Sequence, residues 1–168
     1  MHTWIPRRIG GMPGEEEQRD YWLSEGFTDF YTMRLLVRDA VWTVEQFVSQ
    51  LNDHLADYAS SPVRTAPNAL IVANFWKDPD SGKLPYRRGQ LLATKWDLDV
   101  RKATNGARDL DDVVLAIKAR AQTVTDKPPV ASVLFKDEMQ RLGVDVSADL
   151  ARVMYKGEAA LPPADVFA

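Results

Sequence analysis

Residues 21–36 are the part of the chain that most restricts its possible folds. They read YWLSEGFTDFYTMRLL, a helix-length run of aromatic and aliphatic residues that includes two acids four positions apart. Helical spacing places a set of apolar residues on one face: Leu23, Phe27, Phe30 and Val37. The opposite face carries Glu25, Asp29 and Thr32, with Trp22 beside them. A surface helix has a broad polar side, so this narrow acidic row predicts carboxylates that lie among large apolar groups.

A carboxylate in such surroundings needs a partner, because burying it bare is strongly unfavourable. The spacing alone favours a solvated acidic row, or ion pairs with Arg34 and Arg38 on the same helix. The alternative is that Glu25 binds a metal ion and Asp29, one turn away, supports the site. His2, one of only two histidines in the chain, favours this alternative because it supplies a second candidate ligand.

Composition restricts the class of protein. The length of 168 residues suits one domain, and a 45% hydrophobic content with five tryptophans, five tyrosines and six phenylalanines is enough for a packed core. The net charge is −3 with no long basic block, so no nucleic-acid partner is predicted. No apolar run reaches the roughly 20 residues that span a bilayer. The chain has no cysteine, which excludes disulfides and cysteine-bound zinc.

Periodicity and capping signals predict an all-α helical bundle. The second helix begins with a capping box in which Thr43 is the N-cap and Gln46 the reciprocal partner. Asn105 and Gly106 predict the end of another helix, and Ser147 is the expected N-cap of the last one. The predicted helices span residues 19–39, 43–58, 86–104, 130–142 and 147–156, and a further helix begins near residue 110. Residues before about 20 and residues 60–84 are predicted to be irregular.

The irregular connection at 60–84 contains several prolines, and long loops in compact domains are often functional. Its run ALIVA at 69–73 is interpreted as an ordered loop or a helical turn. The dipeptide Phe75-Trp76 forms either a small satellite core or a wall of a substrate cleft. Tyr86 follows Pro85, which predicts that it opens a helix. His54 lies on a polar edge and is interpreted as a surface residue.

Three motifs in order resemble one enzyme family. WLSEGFT at 22–28 resembles the helix that supplies the third zinc ligand in zinc aminopeptidases with a thermolysin-like catalytic domain. HTW at 2–4, followed by RRI at 7–9, resembles the end of the H-E-x-x-H-x-W motif in the glycyl aminopeptidase-like branch. LPYRRG at 84–89 resembles the Y-x-x-G helix start of the same superfamily. The similarity extends to VDVSADLA at 144–151.

The resemblance implies a zinc metallopeptidase that acts on peptides. Residues 1–157 would be a helical bundle equivalent to the C-terminal lobe of the catalytic domain, and residues 158–168 a linker that can lead to a peptide-binding β-domain. His2 and Glu25 would bind Zn²⁺, and Ser24 and Asp29 would support those ligands. Tyr86 would be catalytic, donating a hydrogen bond to the oxyanion of the tetrahedral intermediate.

The sequence also departs from the family pattern. If His2 is the second histidine of H-E-x-x-H, the first histidine and the general-base glutamate would precede Met1. The chain is therefore expected to be the C-terminal part of a catalytic domain that lacks its general base and is inactive alone. The alternative is a non-catalytic helical module for protein interaction. Such a module does not need a complete set of catalytic residues.

Overall fold

The computed structural model of the protein describes residues 4–12, 14–123, 129–162 and 164–165. Within these ranges it is built from helices and contains no strand, so the predicted all-α fold is confirmed. The helices are α1 (Ile5–Arg8), a 3₁₀ helix (Gly14–Asp20), α2 (Tyr21–Arg38), α3 (Val44–Ser60), α4 (Asn68–Asn74), α5 (Pro79–Ala103), α6 (Leu110–Gln122), α7 (Ala131–Arg141) and α8 (Ser147–Leu150), which continues as a π-helical turn (Ala151–Tyr155).

The packing of α2 against α5 is the centre of the bundle. The two helices cross at Gly26 and Gly89, and a β-carbon at Gly26 would lie only 2.6 Å from the Gly89 carbonyl carbon. Beside this crossing, aromatic rings from α2, α5 and α7 pack edge to face or tilted against one another. The ring centroids of Trp22 and Trp96 are 5.5 Å apart, and those of Phe27 and Phe135 are 5.4 Å apart. These four side chains are almost completely buried.

Helix ends that depend on nearby side chains agree with the predictions. Thr43 and Gln46 form both hydrogen bonds of the predicted capping box. The helix predicted to begin near residue 110 also starts with a capping box, between Asp109 and Asp112. Helix α5 ends where Asn105 and Gly106 adopt positive φ angles of 50° and 79°. Such ends are encoded within a few residues, which is why the sequence predicts them.

Residues 4–12 and 14–20 are more regular than predicted. Ile5 and Ile9 flank the α1 turn and are fully buried, and the acidic run lies in the 3₁₀ helix that leads into α2. The segment between them is joined to α7, because Ala131 N–H donates to the Gly11 carbonyl oxygen at 2.9 Å. The prediction of loop was therefore wrong here. Burial of two isoleucines outweighs the glycines and prolines that normally interrupt helices.

The long irregular connection at 60–84 was also predicted wrongly in part. It contains α4, and α5 begins at Pro79 rather than at residue 86, with the Asp78 carboxylate accepting from Ser81 N–H at 2.9 Å as the N-cap. Pro85 lies inside this helix, where it removes one backbone hydrogen bond near the start. Tyr86 therefore lies within α5 and does not open it.

Residues 157–160 pack onto the end of α3 and the connection that follows it. The N-cap of the last helix lies one residue earlier than predicted, since Val146 rather than Ser147 occupies it, and the Asp145 carboxylate accepts from Ser147 N–H at 2.8 Å. Ala160 is buried and its N–H donates to the Tyr58 hydroxyl at 2.8 Å. The division into a domain ending at residue 157 and a linker stays a prediction.

Among the described helices, none has the length and apolar character of a membrane span.

Candidate functional site

The candidate site lies beside the crossing of α2 and α5. Glu25 precedes Gly26 on α2, and Tyr86 lies one turn before Gly89 on α5. Since the two glycines let the backbones approach closely, side chains next to the crossing can meet across the helix pair. Gly89, the glycine of the segment that resembles Y-x-x-G, thus leaves room for the neighbouring helix.

The Glu25 carboxylate is half-buried, and two hydroxyl groups lie near it. The Ser24 hydroxyl lies 3.4 Å from Glu25 Oε1, and the Tyr86 hydroxyl is close enough for the charge of Glu25 to act on it. Burial and, after it, the negative charge of Glu25 raise the pKa of Tyr86 to about 12. The phenol is therefore a protonated hydrogen-bond donor at neutral pH. Ser24 itself is buried at the base of the carboxylate.

Tyr21 is a neighbour of this pair that the sequence analysis missed. Its hydroxyl donates to Glu17 Oε1 at 2.7 Å, and the pKa of Tyr21 is raised by burial, by Glu17 and by the charge of Glu25. Tyr21, Glu25 and Asp29 are spaced at intervals of four, so they follow one row along α2. That spacing is the signal that could have identified Tyr21.

Asp29 pairs with α5 rather than with its own helix. Arg87 Nη1 donates to Asp29 Oδ2 at 3.1 Å, while Arg87 Nε donates to Asp57 on α3 at 3.0 Å. One guanidinium thus ties three helices together beside Tyr86. The arginines of α2 have other partners: Arg34 pairs with Asp97 at 3.3 Å and Arg38 with Asp39 at 3.4 Å. The expected pairing of the acidic row with Arg34 and Arg38 was therefore wrong.

A cavity of about 230 Å³ opens at the same place. Its lining combines one carboxylate, two cationic side chains, the Tyr86 ring and a glycine: Asp29, Lys83, Arg87, Tyr86 and Gly82. Arg87 is only 19% exposed, whereas Lys83 is 58% exposed. The cavity therefore has a largely buried ion pair on one wall and an exposed ammonium group at its edge.

The described residues include one candidate metal ligand. A half-buried carboxylate with hydroxyl groups beside it is chemically suited to a zinc ligand, so Glu25 fits that role. His2 lies outside the described residues. Within the part of the chain that the structure describes, no group of three His, Cys, Asp or Glu side chains is arranged to hold a metal ion. His54 is half-buried rather than exposed, and its Nδ1 lies 2.7 Å from Gln90 Oε1.

The comparison with family models bears directly on this site. Residues 12–74 match the model of the M61 glycyl aminopeptidases. The match covers 63 of the 168 residues, including all of α2, α3 and α4 and therefore Glu25 and Asp29. Tyr86 and the rest of α5 follow the matched segment. A search of curated proteins finds no match. The family match supports the interpretation of this protein as a peptidase.

Proposed function

We propose that this chain is the helical part of the catalytic domain of a zinc-dependent aminopeptidase, equivalent to the C-terminal lobe of a thermolysin-like enzyme. The observation that carries the proposal is the approach of the Tyr86 hydroxyl to the Glu25 carboxylate beside the crossing of α2 and α5. It brings a candidate metal ligand within the family-matched segment close to a candidate oxyanion donor outside it. The description of the matched family, glycyl aminopeptidase, suggests peptides with N-terminal glycine as substrates.

Glu25 and His2 would be the zinc ligands that this chain contributes. Ser24 and Asp29 would support them: Ser24 lies against the Glu25 carboxylate, and Asp29 is held in place by Arg87. Zinc bound by such a site acidifies a water molecule and polarises the scissile carbonyl. The two histidines of this sequence are His2 and His54, so an H-E-x-x-H motif with its general base has to come from outside residues 1–168.

Tyr86 would stabilise charge on the substrate. The phenol is fixed by its helix and is protonated at neutral pH, since its pKa of about 12 is far above 7. It borders the 230 Å³ cavity, so a substrate oxygen in that cavity would lie within its reach as an acceptor. A donor fixed in this way stabilises the transition state more than the ground state, since negative charge on the carbonyl oxygen grows during the reaction.

The test compares two proteins. The 168-residue chain alone is expected to bind zinc weakly and to hydrolyse no peptide, because zinc enzymes use three protein ligands. A longer protein that joins the H-E-x-x-H motif to these residues is expected to hold one zinc ion and to release N-terminal glycine. In that protein, Glu25→Gln should lose most zinc and activity and still fold, whereas the exposed Glu45→Gln should change neither. Full zinc content and turnover in Glu25→Gln would refute the proposal.

The alternative is a non-catalytic interaction module. It draws support from α3, where Val44 and Val48 are 62% and 46% exposed on a helix that buries few of its apolar residues. This alternative predicts that the longer protein neither binds zinc tightly nor cleaves peptides. It further predicts that Val44→Ser with Val48→Ser abolishes a protein–protein contact without affecting the fold.

A further inference from the structure

Three aromatic rings lead from the candidate site to the surface. The ring of Tyr21, next to Glu25, packs edge to face on Phe75 with centroids 4.9 Å apart. Phe75 packs in the same way on Trp76 at 4.8 Å. Exposure increases along the series, because Tyr21 and Phe75 are half-buried whereas Trp76 is 76% exposed. The dipeptide at 75–76 is therefore an outward continuation of the site rather than a separate small core.

The turn that carries Trp76 is held by hydrogen bonds. Asp78 N–H donates to the Asn74 carbonyl oxygen at 3.0 Å, and Lys77 N–H donates to the same oxygen at 2.8 Å. The Asp78 carboxylate then accepts from the Ser81 hydroxyl at 2.6 Å, which fixes the turn to the start of α5. An aromatic ring on such a support loses little conformational entropy when it binds a ligand.

The same turn borders the cavity beside Tyr86. The Phe75 carbonyl oxygen lies 3.1 Å from the position of a β-carbon at Gly82, and Gly82 lines that cavity together with Tyr86. A peptide whose carbonyl oxygen reaches Tyr86 would thus extend past the turn towards Trp76. Large exposed aromatic surfaces next to a cleft are typical of binding sites, since indole and phenyl rings contribute much contact area per side chain.

We propose that Trp76, with the edge of Phe75, binds a large apolar side chain of the substrate peptide. This inference rests on the proposed function and adds a substrate preference to it. Because the proposed N-terminal residue is glycine, the apolar side chain belongs to a residue that follows the scissile bond. The preferred substrates are therefore peptides with a small first residue and an aromatic or large aliphatic residue after it.

The test measures binding to the 168-residue chain and needs neither zinc nor turnover, so its outcome is separate from that of the zinc experiment. The peptides Gly-Phe-Ala and Gly-Ala-Ala are titrated to millimolar concentrations, and the indole N–H resonance of Trp76, assigned by its absence in Trp76→Phe, is followed by NMR. Gly-Phe-Ala should shift this resonance saturably, and Gly-Ala-Ala should bind about 10-fold more weakly.

A matched control is available on the far end of the chain. Tyr155 is 75% exposed, so Tyr155→Ala removes an equally accessible aromatic ring and should leave binding of Gly-Phe-Ala unchanged. Trp76→Ala should weaken that binding about 10-fold without changing thermal stability, because the indole is largely in solvent. Equal binding of the two peptides, no shift of the Trp76 resonance, or unchanged affinity in Trp76→Ala would overturn the proposal.

Discussion

Gly26 on α2 and Gly89 on α5 face each other so closely that neither position has room for a methyl group. A β-carbon at Gly89 would overlap the Trp22 carbonyl oxygen, and one at Gly26 would overlap the Gly89 backbone. This contact sets the separation of the two central helices. It therefore also sets the distance over which Tyr86 can reach Glu25.

Gly89→Ala should destabilise the fold, since backbone atoms that meet the new methyl group cannot move aside without separating α2 from α5. We expect the free energy of unfolding to fall by about 2 kcal/mol or more, measured by urea denaturation. Gly82→Ala on the same helix is the control, because its methyl group would meet only the Phe75 carbonyl oxygen at 3.1 Å. Equal stability of the two variants would contradict the close crossing.

Tyr86→Phe tests the proposed oxyanion donor in the longer protein that carries the H-E-x-x-H motif. Loss of one such donor typically lowers kcat about 100- to 1000-fold, and we expect KM, zinc content and thermal stability to remain nearly unchanged. Steady-state kinetics with a glycyl peptide measure the effect, and the exposed Tyr155→Phe should behave as the parent protein. A normal kcat in Tyr86→Phe excludes the role, whereas a loss of stability would indicate packing instead.

Asp29→Asn tests whether this carboxylate supports the metal site. Substitution of a residue that supports a metal ligand usually costs about 10- to 100-fold in metal affinity or activity. Zinc titration and kinetics of the longer protein would measure this loss. The exposed Asp53→Asn on α3 is the control. If Asp29→Asn altered only the unfolding midpoint, the role of Asp29 would be limited to its ion pair with Arg87.

The Tyr86–Glu25 contact predicts an alkaline titration. The folded-state pKa of Tyr86 is about 12 against an ordinary value of 10.0, so its protonated form is favoured by folding. The resulting stabilisation is fully present below pH 10 and is lost as the pH rises through about 12. Ultraviolet absorbance of tyrosinate should show one tyrosine fewer ionising around pH 12 in Tyr86→Phe than in the parent protein. In Glu25→Gln the Tyr86 pKa should fall below 12 but stay above 10, because a negative neighbour is gone while burial, the larger cause, remains.

Local signals in the sequence were enough for several elements. The apolar spacing of α2, the capping box at Thr43 and the left-handed stop at Asn105 involve residues within one or two turns of each other. Their energies depend on side chains that are close along the chain, so the elements could be predicted without the fold. The position of Tyr86 inside α5 was missed because Pro85 indicates a helix start, whereas burial of Ser81 and Leu84 against the bundle keeps the chain helical from Pro79.

The candidate site shows the same division between local and long-range information. Glu25 and Asp29 could be singled out from the row of acids on α2, because a carboxylate among apolar residues needs a partner. The identity of the partners was decided by the tertiary structure: Tyr86 for Glu25 and Arg87 for Asp29, both about sixty residues away along the chain. Helical spacing suggested Arg34 and Arg38 instead, since it reports only neighbours on one helix. Contacts across the helix pair depend on how closely α2 and α5 approach. That distance is set where Gly26 meets Gly89, two residues that lie far apart in the sequence.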